Sequence, residues 1–265
     1  MTLREWQAYR LERLEDPAFE FKPSRHADSV TVLAYAFPPP GREAEMFKWL
    51  KCSMLHTWSL LGTLKTVVVA DRGFPEARAF AERHSNVELQ IADGLVPGNI
   101  KTMSLDCIKN LHSRFSTPYC LIVQDDGFPL RDNLCDFLGR YDFIGAPIIS
   151  DGWKRKLAYM LRFGSFNGGF SLRSRAFCGY ASRMWFSFFS RFMPEDHRHL
   201  GEDFYYTTLL KLLPRTWLDF KFPSEKEAFR FAVDSLGGAV ALPGIDSFGF
   251  HGRHTAETIA WERIG

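Results

Sequence analysis

Four short stretches of the chain hold residue types that do chemistry. Gln124-Asp125-Asp126-Gly127-Phe128 sets two adjacent carboxylates at the end of an apolar run. Neighbouring acids repel unless a cation or hydrogen-bond donors neutralise them. Hard divalent ions such as Mg²⁺ or Mn²⁺ do this, taking carboxylate oxygens and sharing the rest of their shell with water and phosphates. The same residues also read as an acidic β-turn, because Asp-Gly is a common turn dipeptide. Asn167-Gly168-Gly169-Phe170-Ser171-Leu172-Arg173 pairs two glycines with polar neighbours. Glycine lets backbone approach a ligand closely, and Asn167 and Ser171 suit sugar hydroxyls; a plain hairpin turn reads the same way. Gly201-Glu202-Asp203 precedes an apolar helix. Asp203 is then either an N-cap or a general base for a hydroxyl in a closed pocket, with Glu202 orienting the acceptor. Phe248-Gly249-Phe250-His251-Gly252 isolates a histidine that is either structural or a neutral imidazole completing a metal site begun by Asp126. His254 is the weaker candidate there, and His26 and His84, in polar context, read as surface residues.

These stretches need a scaffold, and the apolar periodicity supplies one. Thr31 to Phe37, Lys65 to Asp71, Val87 to Ala92 and Tyr119 to Gln124 read as strands. Phe47, Leu50, Met54, Leu55, Trp58 and Leu61 recur at helical spacing before Gly62, and Pro75 to His84 and Lys101 to Phe115 read as further helices. Strand and helix alternate through residue 127, which predicts an α/β fold with a mostly parallel sheet flanked by helices. Ligands of such sheets sit beyond the carboxyl ends of the strands, where Asp71 and Asp125-Asp126 fall. No G-x-G-x-x-G follows the first strand and no P-loop sequence occurs. After residue 127 the alternation loosens into what reads as an acceptor-side elaboration of the same domain. Residues 1–28 are expected to be an N-terminal appendage, 29–252 the domain and 253–265 a tail.

Composition narrows the partners. Apolar residues make up 46% and charged residues 24%, as in soluble globular proteins. A net charge of +2 gives no case for nucleic acid. The five cysteines, Cys52, Cys107, Cys120, Cys135 and Cys178, form no C-x-x-C pair and lie in apolar stretches. Buried free thiols in a reducing compartment follow. No leader-like segment and no run of about 18 apolar residues occurs, so a cytoplasmic protein is expected. Trp153 to Phe163 is basic and aromatic, and Arg183 to Met193 adds Trp185, Phe186, Phe188, Phe189 and Phe192. These read either as a lid packed on the sheet or as a surface for peripheral contact at the inner face of a membrane.

Taken together, the motifs resemble the GT-A class of nucleotide-sugar glycosyltransferases. More narrowly they are similar to a bacterial glycosyltransferase-like family with Q-x-D-G-F, Y-D-[FY]-I-G-A-P, N-G-G-F-S-L-R, E-D and F-G-F-H-G motifs. Here these are Gln124 to Phe128, Tyr141 to Pro147, Asn167 to Arg173, Glu202-Asp203 and Phe248 to Gly252. The resemblance implies a GT-A-like sheet, a nucleotide-sugar donor (UDP-linked by expectation), a Mn²⁺ or Mg²⁺ cofactor and a glycan or lipid-linked hydroxyl acceptor. It implies Asp126 and His251 as metal ligands, Asp203 as base of an inverting displacement and Glu202 beside it. Asn167, Gly168 and Gly169 would line the donor sugar. Tyr35 and Phe37 would hold the base, with Asp71 and Lys101 as further donor contacts. Gln124 stands where the first acid of the D-x-D motif faces the ribose, and Asp125 is the alternative for that contact. Two rivals stay open: a sugar-binding module without turnover, and a sugar nucleotidyltransferase. The latter would want a basic, glycine-rich loop where Pro38-Pro39-Pro40-Gly41-Arg42 stands.

Overall fold

The computed structural model describes residues 1–147, 166–192, 201–234, 247–259, 261 and 264. Apolar runs, buried except for the half-buried Tyr35, make its centre: β1 (Val30–Ala36) and β2 (Thr66–Ala70), joined by α2 (Glu43–Leu61). Helix α3 (Pro75–Arg83) leads to β3 (Val87–Ile91), a half-exposed edge strand, and α4 (Ile100–Arg114) leads to β4 (Tyr119–Ile122). The six-stranded sheet has the order β3-β2-β1-β4-β7-β6, with β6 at Phe143–Pro147 and β7 at Phe166–Ser174. The first four strands pair in parallel. β7 runs antiparallel to both β4 and β6, so one of the six strands opposes the rest. The expected α/β class with a mostly parallel sheet is therefore found. The reversed strand is what carries the amino end of β7, with its glycines, to the same sheet edge as the carboxyl end of β4.

Both faces of the sheet are covered. Alternate residues of a strand point to opposite faces. Val32, Ala34 and Val68 pack with Phe47, Leu50, Met54 and Trp58 of α2, whereas Leu33, Val67 and Val69 pack with Met103, Cys107 and Leu111 of α4. Helix α2 stops at Gly62, whose φ of +78° suits glycine, and a side chain there would stand 2.6 Å from the Ser24 backbone. A third, aromatic cluster joins Phe143, Phe166 and Phe177 of α5 (Arg175–Met184) to Tyr205 and Tyr206.

A second, three-stranded sheet of order β5-β9-β8 builds the region around the acidic turn. It consists of β5 (Gly127–Pro129), β8 (Ala232–Asp234, following α6, Glu225–Phe231) and β9 (Gly249–His251). Both chain ends pack onto it. Helix α1 (Leu3–Leu14), opened by a Thr2–Glu5 capping box, sends Leu3 and Trp6 into a cluster with Phe128, Phe250, Ile259 and Trp261. Trp6 and Trp261 are each 1% exposed, so the described residues near both chain ends are packed. Two expectations change. Cys135 is exposed, while the other four thiols are buried and none forms a disulfide. His26 is buried, because Arg25 Nε reaches its ring and its own amide is taken by Ser24. Trp153 to Phe163 and Met193 lie outside the described residues. Among the described residues no helix is long and apolar enough to cross a membrane.

Candidate functional site

The acidic pair sits in a tight turn. The Gln124 amide donates to the Gly127 carbonyl at 2.8 Å and the Gly127 amide returns the bond at 3.3 Å. Asp125 and Asp126 are therefore the two central residues of a hairpin turn, just past the carboxyl end of β4. The turn and the ligand readings of this motif are not rivals: the turn is what presents the carboxylates. Burial pushes the Asp126 carboxyl up, the charge of Asp125 adds to this, and His251 partly offsets it. Asp125 is differently occupied. Its carboxylate accepts from Arg4 Nη2 at 2.6 Å, its carbonyl accepts from Gln7 Nε2 at 2.7 Å, and Arg253 lies 3.8 Å away.

His251 ends β9, opposite Gly127 in the register of the small sheet. Its Nε2 lies 4.0 Å from Asp126 Oδ1 and 3.1 Å from Gln124 Oε1. Its Nδ1 lies 3.3 Å from Asp234 Oδ2. Asp234 is 4% exposed and was not suggested by any motif. Its one signal in the sequence is an acid closing a short apolar run, Phe231-Ala232-Val233-Asp234. Burial opposes a charged His251 ring, but the Asp234 bond and the charges of Asp126 and Asp234 outweigh it, and its pKa is raised.

The amino end of β7 runs between His251 and the second acidic pair. A side chain on Gly169 would stand 2.6 Å from Gln124 Oε1 and closer still to His251 Nε2. One on Gly168 would stand 2.6 Å from Arg173 Nη2 and closer still to Glu202 Oε1. Neither position tolerates even a methyl group without displacing these groups. Asn167 is spent on structure: its Oδ1 accepts from the Gly169 amide at 2.7 Å and its Nδ2 donates to Asp234 at 2.9 Å.

Glu202 is buried. Its Oε2 accepts from Ser104 Oγ at 2.9 Å and its Oε1 from Arg173 Nη2 at 3.4 Å. Arg173 is fully buried, donates also to the Gly168 carbonyl at 2.9 Å, and lies against the Phe143 and Tyr206 rings. Asp203 is half-buried and is not the cap of its helical turn, a place held by Gly201. Burial, then the Glu202 charge, push its carboxyl up.

Beyond β1 and the turn opens a cavity of about 340 Å³. Phe37, Pro38, Phe47 and Phe74 give it apolar walls, and Tyr35, Arg42, Gln124 and Asp125 give it polar ones. The Tyr35 hydroxyl donates to Asp106 at 2.8 Å. Asp71 and Lys101 are not on its wall. The Asp71 side chain is 3% exposed and pairs with Arg72, and Lys101 is an exposed residue at the start of α4 whose amide is capped by Asn99. The structure thus brings Gln124, Asp126, Gly169 and His251 together, with Gly168 and Glu202 next to them.

A family model matches residues 92–251. That span covers every one of the four chemical motifs except the closing Gly252, and ends on His251. The chain belongs to this family, described as "Protein of unknown function (DUF5672)". Of the DUF5672 region, α1, β1, α2 and β2 form no part, although they supply Arg4, Gln7 and the cavity walls. No curated protein matches the chain. Among solved structures, the mannosyltransferase PcManGT from Pyrobaculum calidifontis, in complex with GDP-Man and Mn²⁺, is 12% identical with a TM-score of 0.33. That match covers 67% of this chain and 55% of that one. TarS residues 1–349 from S. aureus is 11% identical with a TM-score of 0.34, covering 57% and 48%. The chain thus spans about half the length of either structure.

Proposed function

We propose that this DUF5672 member is a metal-dependent glycosyltransferase that moves a sugar from a nucleotide sugar, UDP-linked in the first instance, to a hydroxyl of a glycan or glycolipid. The observation that carries the reading is the convergence of Asp126, Gln124 and His251 at the end of β4, with His251 oriented from behind by buried Asp234. A carboxylate holding the far nitrogen of an imidazole is the usual support of a metal-ligating histidine. The donor set of carboxylate oxygen, imidazole nitrogen and amide oxygen fits Mn²⁺ or Mg²⁺. Among the described residues no three His, Cys, Asp or Glu side chains gather to hold an ion alone, as suits a site completed by water and substrate phosphates.

Asp126 and His251 would hold the cation, which when bound supplies positive charge against the diphosphate that leaves. The chain's own residues do the rest. The apolar cavity beside Phe37 receives the base, and Gly168 and Gly169, lacking side chains, let Glu202 and His251 close in on the backbone that borders the donor. Asp203, whose carboxyl is pushed up by burial, takes the acceptor hydroxyl's proton as the new bond forms. The displacement inverts the anomeric centre. Glu202, held by Ser104 and Arg173, stands beside Asp203. Phe186 and Phe188, 56% and 46% exposed next to Arg183 and Arg191, support contact with an anionic membrane carrying a lipid-linked acceptor. Retention on anionic but not neutral vesicles, reduced in Phe186→Ser, checks that contact; equal retention discards it.

The deciding experiment is a nucleotide-sugar hydrolysis screen with Mn²⁺ present or chelated, on wild type and Asp126→Ala. One donor hydrolysed only with metal and Asp126 supports the reading. A donor bound and never turned over leaves a sugar-binding module in its place.

A further inference from the structure

We propose that α1 is a clamp on the acidic turn, with Arg4 and Gln7 as positioning residues of the site. Two side chains one helical turn apart share a helix face, and here both grip one residue. Arg4 Nη2 donates to the Asp125 carboxylate at 2.6 Å and Gln7 Nε2 donates to the Asp125 carbonyl at 2.7 Å. They are tied to each other as well, Arg4 Nη1 donating to Gln7 Oε1 at 2.7 Å. Asp125 is thus held at side chain and backbone together. Gln7 is fully buried, and the Arg4 guanidinium lies over the Trp49 ring of α2 at 4.9 Å.

The helix that makes this grip is itself fixed. Between the two residues, Trp6 stacks on Phe128 at 5.6 Å, one residue past the turn, and its Nε1 donates to the Ile264 carbonyl at 3.1 Å. The Gln7 carbonyl accepts from Cys52 of α2. Because only Asp125 and Asp126 lie between the paired Gln124 and Gly127, immobilising the first fixes the direction of the second. Electrostatics gives a further reason. Two adjacent carboxylates compete for any cation; Arg4, with Arg253 behind it, satisfies Asp125 and leaves Asp126 as the open ligand. An ion pair this exposed (34% and 27%) adds little to stability, so its effect is local.

The functional consequence rests on the metal reading above, and the test separates the two. Amide exchange across residues 124–127 is measured in wild type, Arg4→Ala and Arg4→Lys, together with the thermal midpoint. Mn²⁺ affinity in the presence of UDP or GDP is then followed by electron paramagnetic resonance. In Arg4→Ala the turn amides exchange at least about tenfold faster while the midpoint hardly moves. Mn²⁺ binding weakens by about tenfold, the order seen when an outer partner of a metal ligand is lost. Arg4→Lys restores part of both. Unchanged exchange in Arg4→Ala overturns the clamp, as does faster exchange spread evenly over the whole chain. If wild type binds no Mn²⁺ with either nucleotide, the metal reading falls and the exchange data still decide the clamp.

Discussion

Gly168 and Gly169 have opposite neighbours, the first Glu202 and Arg173, the second His251 and Gln124. Successive strand residues point to opposite faces, so this pair separates the His251 side of the site from the Glu202 side with only backbone between them. Gly169→Ala should therefore cut donor turnover by more than about tenfold, since an ångström-scale displacement of the imidazole suffices, while circular dichroism stays native. In the proposed mechanism Asp203 must be ionised to take a proton, and burial raises its carboxyl. Transfer should accordingly fall as pH drops through a value above the ordinary carboxylate range. Asp203→Asn should abolish transfer while the donor Kd holds. His56 gives a stability test. It is fully buried, and burial, helped by the Arg10 charge, lowers its pKa to about 3. The folded state thus stays neutral there where the unfolded chain binds a proton. Its stability contribution is complete above about pH 6.5 and declines toward pH 3, at on the order of 1 kcal/mol per unit. His56→Phe should flatten that slope in urea titrations across pH. Of these residues, Asp126, Asp203, His251 and the glycines could be picked out in the sequence, because acids, glycine pairs and a lone histidine interrupt apolar runs. Asp234 and Ser104 could not: Asp234 closes a short apolar run with no second acid or glycine beside it, Ser104 is one of several polar residues in an amphipathic helix, and only the chain's path brings each to its partner.

At the scale of elements, the sequence predicts segments well and directions badly. Burial periodicity marks β1, β2, β4 and α2 clearly, but an alternating strand such as β7 looks the same whichever way it runs, so its reversal was not legible. Helix α1 is hard to read from the sequence for a related reason. Its buried face includes Gln7 and Arg10 along with Leu3, Trp6, Leu11 and Leu14, and polar residues on the inner side blur the amphipathic pattern. Its weight lies in packing: Trp6 touches His56, Phe128 and Trp261. Trp6→Ala should cost about 3–5 kcal/mol in urea unfolding, the range for a buried aromatic cut to alanine. A loss under about 1 kcal/mol would mean that α1 is dispensable to the fold.

For the molecule as a whole, the clusters do not respect the chain's halves. The first core joins Leu11, Val32, Trp58, Leu121, Phe170 and Phe248, and the second sheet closes strands from either side of α6. Such sharing favours one unfolding transition over two. Trp261→Ala should move a single midpoint, seen identically by tryptophan fluorescence and by far-ultraviolet circular dichroism; two separated transitions would contradict it. The order of the site along the chain has a last consequence. Asp126 leaves the ribosome long before Asp234, and His251 comes after both. Helix α1 in turn leans on Trp261 and Ile264, which come later in the chain than His251, so its hold on the acidic turn and the docking of the β9 imidazole belong to one folding event. Because β9 lies between β5 and β8, a polypeptide cut short before it would keep Asp126 but lack the histidine that faces it.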